Sequence, residues 1–363
     1  MSARYEFCRL SEYERVIVMS DIHGMLAPLR SVLDGLGFSE KDALVIVGDI
    51  LEKGGECLET LRFVHDLYGR GNVRMVLGNN DTPFADWRDG VFTDSDICRY
   101  MNGVTYGSTL LDMAAELKMT YSTVSEVAAL REAIMREYSE LISFLDSLPY
   151  IIETDFAVFV HAGIGEGSLT EQDAHYCCYA PEFGRTELSF PKPVIVGHWP
   201  VSNYCESVIS VNPYFNRAAN VISIDGGLGL KSWQQLNYLI FSGSGELLSV
   251  GHHDTQRAVR CLTAQSEEQE PFTLIFPHTR VEILEERGEK MLVRIPYIDR
   301  EMEMSEKSIY TYKGEPYCQD FTTYTLPVEA GETVLYCEAA DGGILVKRDG
   351  VVGLYRGRWE WEE

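Results

Sequence analysis

Polar side chains able to bind a metal ion follow directly after five short apolar runs of the chain. In chain order they are Asp21 and His23 in VIVMSDIHG, Asp49 in LVIVGDILEKG, Asn79 in VRMVLGNND, His161 in AVFVHAGI and His198 in VIVGHWP. Nitrogen and oxygen ligands of this kind, without thiolate, suit manganese, iron or zinc better than calcium. Because the same arrangement recurs after successive apolar runs, it predicts one shared metal centre.

Side chains of these types would suit a pair of divalent ions. Asp21 and His23 lie two residues apart on one loop, so they can close around one ion. Asp49 follows the next apolar run and is the natural bridge between two ions, whereas Asn79 and the two later histidines suit the second ion. Two divalent ions about 3.5–4 Å apart can hold both the attacking and the leaving oxygen of an in-line phosphoryl displacement. The pattern therefore predicts two bound ions (manganese, iron or zinc, with manganese expected in vitro) and phosphoryl chemistry.

The apolar runs that precede these side chains are typical of strands buried on both faces of a sheet. We predict strands at Val16–Met19, Leu44–Val47, Val73–Leu77, Ala157–Val160, Val194–Val196 and Val221–Ile224. Apolar residues recur at helical spacing over Met25–Leu36 and Cys57–Leu67, and again over Thr123–Leu148, which we predict to be one longer helix. This alternation predicts an α/β layered domain, in which ligands gather at the carboxyl ends of the strands.

The pattern changes near the charged segment SEEQEP, residues 266–271. Beyond it the apolar runs are short and separated by turns, and residues 280–294 and 333–348 each have the pattern of a β-hairpin. We therefore predict three parts, which are a catalytic domain over 1–255, a linker over 256–271 and a β-rich, SH3-like accessory module over 272–363. No catalytic set is found in that module, so we expect it to serve a protein partner.

The composition excludes several classes of protein. With 45% hydrophobic and 24% charged residues among 363, the chain is neither disordered nor fibrous. Lysine and arginine number 31 against 56 aspartate and glutamate, a formal net charge of −25, so the surface should repel nucleic acid and anionic membranes. No apolar stretch reaches the roughly 18 residues of a membrane span, and the start MSARYEFCRLSEYERV lacks a signal pattern. Nine cysteines without CxxC spacing fit reduced thiols and a cytoplasmic location.

The ordered motifs DIHG, GDILEKG, GNND, HAG and GH resemble those of the calcineurin-like metallophosphoesterase superfamily. The detailed form, including SLPYIIETDFAVFVHAGI and ISIDGGLGL, is similar to its phosphoprotein phosphatase branch, which includes bacterial protein phosphatases and diadenosine tetraphosphatases. The resemblance covers residues 14–245 and implies a four-layer αββα fold around two sheets. It also implies a set of metal ligands, namely Asp21, His23, Asp49, Asn79, His161 and His198.

Three positions depart from the family pattern. The third motif of the family reads GNHE or GNHD, and its histidine protonates the leaving oxygen, but this chain has Asn80, which is not a general acid at ordinary pH. The second motif usually reads GDxVDRG. Here Glu52 stands where a carboxylate orients that histidine, and Lys53 replaces an arginine that binds phosphate. Lysine lacks the two-pronged hydrogen bonding of arginine, so we expect weaker binding of phosphate and name Glu52 as the candidate to take over proton donation.

These features predict a dimetal phosphoesterase in which a metal-bound hydroxide attacks phosphorus directly. We expect it to hydrolyse phosphomonoesters on phosphoprotein, and to favour phosphotyrosine and aryl phosphates because Asn80 cannot protonate a basic leaving group. One alternative is a phosphodiesterase or dinucleoside polyphosphatase. Another is a weakly catalytic scaffold that binds phosphoproteins through the C-terminal module.

Overall fold

The computed structural model describes residues 2–267 and 270–362 of the chain. These residues form two compact units, each built from two stretches of the chain. The first unit is Met1–Pro200 with Pro213–Thr255, and the second is Val201–Asn212 with Gln256–Glu363.

Helices and strands alternate through the first unit. Its α-helices are α1 (Leu26–Leu36), α2 (Cys57–Tyr68), α3 (Pro83–Arg88), α4 (Asp94–Gly103), α5 (Thr109–Leu117), α6 (Val124–Glu137), α7 (Ser139–Ser147) and α8 (Ala174–Tyr179). The strands over this part of the chain are β1 (Tyr5–Phe7), β2 (Arg15–Met19), β3 (Asp42–Ile46), β4 (Val73–Met75), β5 (Ile151–Glu153), β6 (Val158–Val160), β7 (Val194–Val196), β8 (Ile209–Ser210), β9 (Tyr214–Asn216), β10 (Val221–Ser223), β11 (Gln235–Ser242) and β12 (Leu247–Asp254). Of these, β8 belongs to the second unit.

Two sheets form the centre of the first unit. One has the order β12-β11-β2-β3-β4, and the other has the order β1-β5-β6-β7-β10-β9. Within the first sheet β2, β3 and β4 run parallel, and within the second β6, β7 and β10 run parallel. All six strands that the sequence predicted are therefore present, and all but β4, which lies at the edge of its sheet, are internal strands of the two sheets.

Both faces of each sheet are covered, as the apolar runs predicted. Along β2, Val16 and Val18 pack between the sheets with Phe159, while Ile17 and Met19 face the core shared with the helices. The far face of the second sheet packs against α8 and the turn after it. The layers are therefore helix, sheet, sheet and helix, which confirms the expected αββα fold.

The helical part between β4 and β5 differs from the prediction. The single helix expected over Thr123–Leu148 is wrong, because Tyr138 leaves the helical region at φ −109° and ψ 23° and separates α6 from α7. The sequence analysis also did not predict α3, α4, α5 or α8. Helices α3 to α5 follow directly after the Asn79 motif.

The second unit is rich in strands. After β8 its strands are β13 (Ala258–Cys261), β14 (Thr273–Leu274), β15 (Glu282–Arg287), β16 (Lys290–Ile295), β17 (Arg300–Ser305), β18 (Ile309–Tyr312), β19 (Glu315–Cys318), β20 (Phe321–Thr322), β21 (Thr333–Ala340), β22 (Gly343–Arg348), β23 (Val351–Tyr355) and β24 (Trp359–Trp361). They form a sheet of order β24-β13-β21-β22-β23-β8, a sheet of order β15-β16-β17 and the pairs β14-β20 and β18-β19. Closure into an SH3-like barrel stays a prediction.

Both predicted hairpins are present, but the predicted linker contains a strand. Arg287 pairs with Lys290 in one hairpin, and Ala340 pairs with Gly343 in the other. Within residues 256–271, Ala258–Cys261 forms β13, because Val259 and Cys261 are buried in the core of the second unit. Residues 268 and 269 of that segment lie outside the described residues.

All nine cysteines have free thiols. Among the helices that the structure describes, none has both the length and the apolar character needed to cross a membrane.

Candidate metal centre

The strand ends bring the candidate ligands to one edge of the two sheets. Asp21 and His23 follow β2, Asp49 follows β3, and Asn79 follows β4. The two later histidines follow β6 and β7 of the other sheet. Because neighbouring strands run parallel, their carboxyl ends meet at the same edge, which is where an α/β layered domain gathers its ligands.

Asp49 lies at the middle of this group. Its Oδ1 is 3.4 Å from Nε2 of His161, and its Oδ2 is 3.8 Å from Nε2 of His23. The same Nε2 of His23 lies 3.9 Å from Oδ1 of Asp21. One carboxylate thus reaches histidines from both sheets, as the predicted bridging role of Asp49 requires.

Asn79 lies between His161 and His198. Its Oδ1 lies 3.0 Å from Nε2 of His161 and 2.8 Å from Nδ1 of His198. The backbone N–H of His198 also donates to both carboxylate oxygens of Asp21, at 3.2 and 3.1 Å. The structure therefore gathers all six side chains that the sequence singled out, and their role as metal ligands stays a prediction.

The chemistry of this group fits divalent ions. Asp21, Asp49 and His161 are buried, and each offers a ligand atom within 4.8 Å of the other two. The opposite ring nitrogens of two histidines are held by backbone carbonyls, since Nδ1 of His23 lies 3.1 Å from the oxygen of Leu51 and Nδ1 of His161 lies 2.9 Å from that of Val47. A histidine that donates one N–H to a carbonyl presents its other nitrogen as a metal ligand, which is the arrangement found around bound metals.

Several of these residues have a strained backbone. Asp21, His23, Asp49 and His198 have φ values of 52°, 49°, 55° and 66°, in the left-handed region that residues other than glycine rarely adopt. Each such residue costs of the order of 1–3 kcal/mol and persists where the surroundings fix it, most often at functional sites. The strain allows the chain to turn sharply after each strand and to aim the side chain at the centre.

The charges in the centre are strongly coupled. Burial would by itself lower the pKa of His161, but the charge of Asp49 and the hydrogen bond to it raise that pKa to about 10. Burial would by itself raise the pKa of Asp49, but the charges of His161 and His23 and the hydrogen bonds with His161 and Asn80 together hold that pKa well below its usual range. Burial and the charge of His161 lower the pKa of His198 to about 4, while burial and the charge of Asp225 raise the pKa of Asp21. Without a metal, the raised pKa of His161 and the lowered pKa of Asp49 thus favour a proton on His161 beside an ionised Asp49.

Asp81 supports the centre without facing it. Its buried carboxylate accepts backbone N–H bonds from Asp49 and Gly78, at 2.8 and 3.0 Å, and from Ile50 and Leu51, at 2.9 and 3.3 Å. Asp81 is the last residue of the motif GNND, but the turns after β3 and β4 that its carboxylate ties together could not be inferred from the sequence. It is the main residue of the site that motif reasoning undervalued.

The residues that depart from the family pattern have defined partners. Asn80 donates to Asp49 twice, from its backbone N–H to Oδ1 at 2.8 Å and from Nδ2 to Oδ2 at 2.5 Å. Both carboxylate oxygens of Glu52 are engaged, one by the hydroxyl of Tyr100 and the other by the N–H of Thr109 at 3.0 Å. Nζ of Lys53 lies 4.5 Å from the centre of the Tyr106 ring.

Comparison with known proteins agrees with this geometry. The model of the calcineurin-like phosphoesterase family matches residues 14–202. A symmetrical bis(5'-nucleosyl)-tetraphosphatase of Azotobacter vinelandii is 42% identical over 67 residues, which are 18% of this chain and 24% of that protein. Its counterpart in Pseudomonas putida strain F1 is 29% identical over 153 residues, which are 36% of this chain and 52% of that protein.

The chain thus spans between about a quarter and a half of the length of these two curated relatives. Among solved structures, a protein serine/threonine phosphatase from Saccharomyces cerevisiae aligns with a TM-score of 0.42 at 10% identity, over 70% of this chain and 84% of that one. The family match covers more than half of the 363 residues and includes every candidate ligand from Asp21 to His198. The chain therefore belongs to the calcineurin-like phosphoesterase family.

Proposed function

We propose that this chain is a metal-dependent phosphoesterase that hydrolyses phosphomonoesters and favours phosphotyrosine and other aryl phosphates. The observation that carries the proposal is the position of Asn80. Its side-chain amide donates to Asp49 at 2.5 Å, directly beside the candidate ligands. The position that the family pattern gives to a proton-donating histidine thus holds an amide that cannot give up a proton at ordinary pH.

The candidate ligands would hold two divalent ions, in keeping with the buried cluster around Asp49. Such ions supply positive charge to the phosphoryl oxygens and lower the pKa of bound water. The chain itself supplies a fixed Asp49, oriented by Asn80, and the cation of Lys53 as the candidate to bind phosphate. In hydrolysis, an oxygen from water bonds to phosphorus, the bond between phosphorus and the leaving oxygen breaks, and the leaving group departs with the electron pair.

The preference for aryl groups follows from the lack of a proton donor. Glu52 could replace the missing histidine only with a free carboxyl group, and both of its oxygens already accept hydrogen bonds. A leaving group must then depart unprotonated, so the rate should fall steeply as its basicity rises. A phenolate, with a pKa of about 10, leaves far more readily than the alkoxide of serine or threonine.

Cleavage of a nucleoside polyphosphate is the second candidate function. The observation that favours it is the identity to curated tetraphosphatases, which reaches 47% over 66 residues in the protein of Erwinia tasmaniensis. A phosphoanhydride also has a leaving group that needs no proton donor. A non-catalytic scaffold is less well supported, because binding a phosphoprotein does not require six metal-ligand candidates around one carboxylate.

The test is hydrolysis by the full chain with Mn²⁺ of four substrates, which are matched phosphotyrosine and phosphoserine peptides, bis-p-nitrophenyl phosphate and diadenosine tetraphosphate. We expect the highest kcat/KM on phosphotyrosine. Asn80→His should raise kcat/KM selectively on phosphoserine, and Asn80→Ala, which removes the amide without adding an imidazole, is the control. Equal rates on the two peptides would contradict the preference, and a higher rate on diadenosine tetraphosphate would establish the second candidate.

We further propose a reducing, cytoplasmic setting for this activity. Nine free thiols support that setting.

A further inference from the structure

A pocket of about 330 Å³ opens beside the metal centre, on the side of the helices that the sequence did not predict. Asn79 and Asn80 form its inner wall, and side chains from α3, α4 and α5 form much of the rest. Tyr179 also lines it, and the ring of Tyr179 meets the ring of His198 edge-on at 6.3 Å. The pocket is therefore continuous with the place where a phosphoryl group would bind.

The walls of this pocket are mainly aromatic and apolar. Phe92, Tyr100, Tyr106 and Tyr179 contribute four rings, and Leu110 adds an aliphatic side chain. Phe92, Tyr106 and Tyr179 are 42%, 40% and 42% exposed, although rings of this size are normally covered when they serve only as core. Open rings around a concavity beside a reactive centre are suited to bind another planar group.

Two of these rings are held in place by residues of the second sequence motif. The hydroxyl of Tyr100 donates to Glu52, and Nζ of Lys53 lies 4.5 Å from the centre of the Tyr106 ring. The backbones of Lys53 and Gly107 exchange hydrogen bonds at 2.8 and 3.3 Å, which fixes the loop before α5. Glu52 thus lines the pocket and holds the ring of Tyr100, whereas Lys53 contacts the ring of Tyr106 without itself lining the pocket.

The charge of the pocket restricts what it can accept. Its described lining includes the carboxylates of Glu52, Asp86 and Asp96, and no lysine or arginine. Carboxylates repel a second phosphate or any anionic substituent, particularly where solvent is partly excluded. The pocket therefore suits a neutral planar ring attached to a single phosphoryl group at the centre.

We propose that this pocket binds the aromatic ring of the leaving group, so that the chain selects neutral aryl phosphates by shape as well as by leaving-group basicity. This inference rests on the proposed function and names the residues that would give it specificity. Phe92 and Tyr106 would contact the ring of the leaving group, while Asp86 and Asp96 would repel a ring that carries a negative charge.

Two measurements separate recognition of the ring from leaving-group chemistry. The first compares kcat/KM on phenyl phosphate and on a fluorinated alkyl phosphate whose leaving groups have matched pKa values. The second compares inhibition by phenylphosphonate and methylphosphonate, which cannot be hydrolysed and so report binding without turnover. We expect the full chain to have the higher kcat/KM on phenyl phosphate and to be inhibited more strongly by phenylphosphonate. Phe92→Ala or Tyr106→Ala should reduce both the aryl-to-alkyl ratio of kcat/KM and the phenyl-to-methyl ratio of inhibition by about threefold to tenfold. Tyr106→Phe should restore them, because it keeps the ring.

Matched variants complete the test. Tyr176 is 40% exposed in the same unit and does not line the pocket, so Tyr176→Ala should leave both ratios unchanged. Asp86→Asn should improve inhibition by 4-carboxyphenylphosphonate relative to phenylphosphonate. Equal inhibition by phenyl- and methylphosphonate, no binding of either, or unchanged ratios in Phe92→Ala and Tyr106→Ala would overturn the proposal.

The proposed function can fail independently of the pocket. If phosphotyrosine and phosphoserine peptides react equally while the phosphonate ratio still depends on Phe92 and Tyr106, the pocket stands and the leaving-group argument fails. If the Phe92 and Tyr106 variants lose activity only on diadenosine tetraphosphate, the pocket binds a nucleobase and the aryl assignment is overturned.

Discussion

At the scale of single residues, Asp49 is the side chain on which the centre depends, because its carboxylate lies close to ring nitrogens of His23 and His161 and is held by Asn80. Asp49→Asn keeps the shape but removes the charge that two cations would share. We expect metal affinity to fall more than about 100-fold, since even residues that only support metal ligands cost 10–100-fold when changed. Metal content and hydrolysis of p-nitrophenyl phosphate measure this, and full occupancy with normal turnover would remove Asp49 from the centre.

Asp81 should affect metal binding by holding the turns after β3 and β4 in place, and not by contacting the metal itself. In Asp81→Asn one carboxylate oxygen becomes an NH₂ group that faces backbone donors of the turns after β3 and β4, so at least one buried N–H loses its acceptor. We expect a lower melting temperature and metal affinity reduced about 10–100-fold. Asp34→Asn, on the exposed side of α1, is the matched control. A variant with lower stability but unchanged metal affinity would limit Asp81 to a structural role.

Binding of Mn²⁺ should release a proton at pH 8. In the metal-free protein the pKa of His161 is raised to about 10, mainly by Asp49 against the effect of burial, so the ring is charged at a pH above the ordinary value for histidine. A histidine must be neutral to bind a metal ion, so that proton leaves when the ion binds. Calorimetry in buffers of different ionisation enthalpy measures the proton count. A binding enthalpy independent of the buffer would contradict the assignment of His161.

The residues of the centre could be predicted to different degrees. The positions of Asp21 and Asn79 at strand ends could be predicted from the sequence, because a buried apolar run followed by a polar group is a local pattern. The hydrogen bond between Tyr100 and Glu52 joins residues 48 positions apart, and the bonds from the turn after β3 to Asp81 span 30 to 32 positions. Such partners depend on how the chain folds back on itself, and no local pattern shows them.

At the scale of elements, the glycine of the GNND motif is required by packing. A Cβ on Gly78 would lie 2.1 Å from Oδ1 of Asp49 and 2.4 Å from its backbone nitrogen. Since a backbone atom cannot move aside easily, Gly78→Ala should push the turn after β3 away from the centre and greatly reduce metal binding and activity. Gly35→Ala in α1 is the control, because nothing lies within 4 Å of its Cβ and alanine favours a helix by about 0.5–1 kcal/mol. Normal metal affinity in Gly78→Ala would show that this turn can relax.

Elements were predictable where their apolar pattern was regular. The six predicted strands and the helices α1 and α2 lie within a few residues of the predicted positions, whereas strands β1, β5, β9, β11 and β12 of the two sheets were not predicted. Helix α4 was missed because its sequence DSDICRYMNG is largely polar, yet Thr93 and Asp96 form a capping box that marks its start and is visible as a sequence signal. The break at Tyr138 has no such signal, because tyrosine is acceptable within a helix.

At the scale of the whole molecule, sequence order alone did not give the division into units. The segment Val201–Asn212 follows His198 by only two residues, yet it belongs to the second unit, where β8 pairs with β23. A reading along the chain assigns it to the first domain because its neighbours lie there. The segment is placed in the second unit by pairing with residues about 140 positions later, and no local sequence pattern specifies which residues pair.

This division makes a prediction about truncation after Thr255. The two sheets of the first unit contain no strand from beyond that residue, so the first unit should fold without the rest. However, β8 would lose β23, and the buried side chains of Ile209 and Val211 would be exposed to solvent. We expect the truncated chain to aggregate, and the truncated Ile209→Ser/Val211→Ser variant to be soluble and active on p-nitrophenyl phosphate, because removing the apolar side chains removes the exposed patch. Circular dichroism, light scattering and the activity assay decide this. If the substituted truncation is soluble but unfolded, the second unit is part of the catalytic fold rather than an accessory to it.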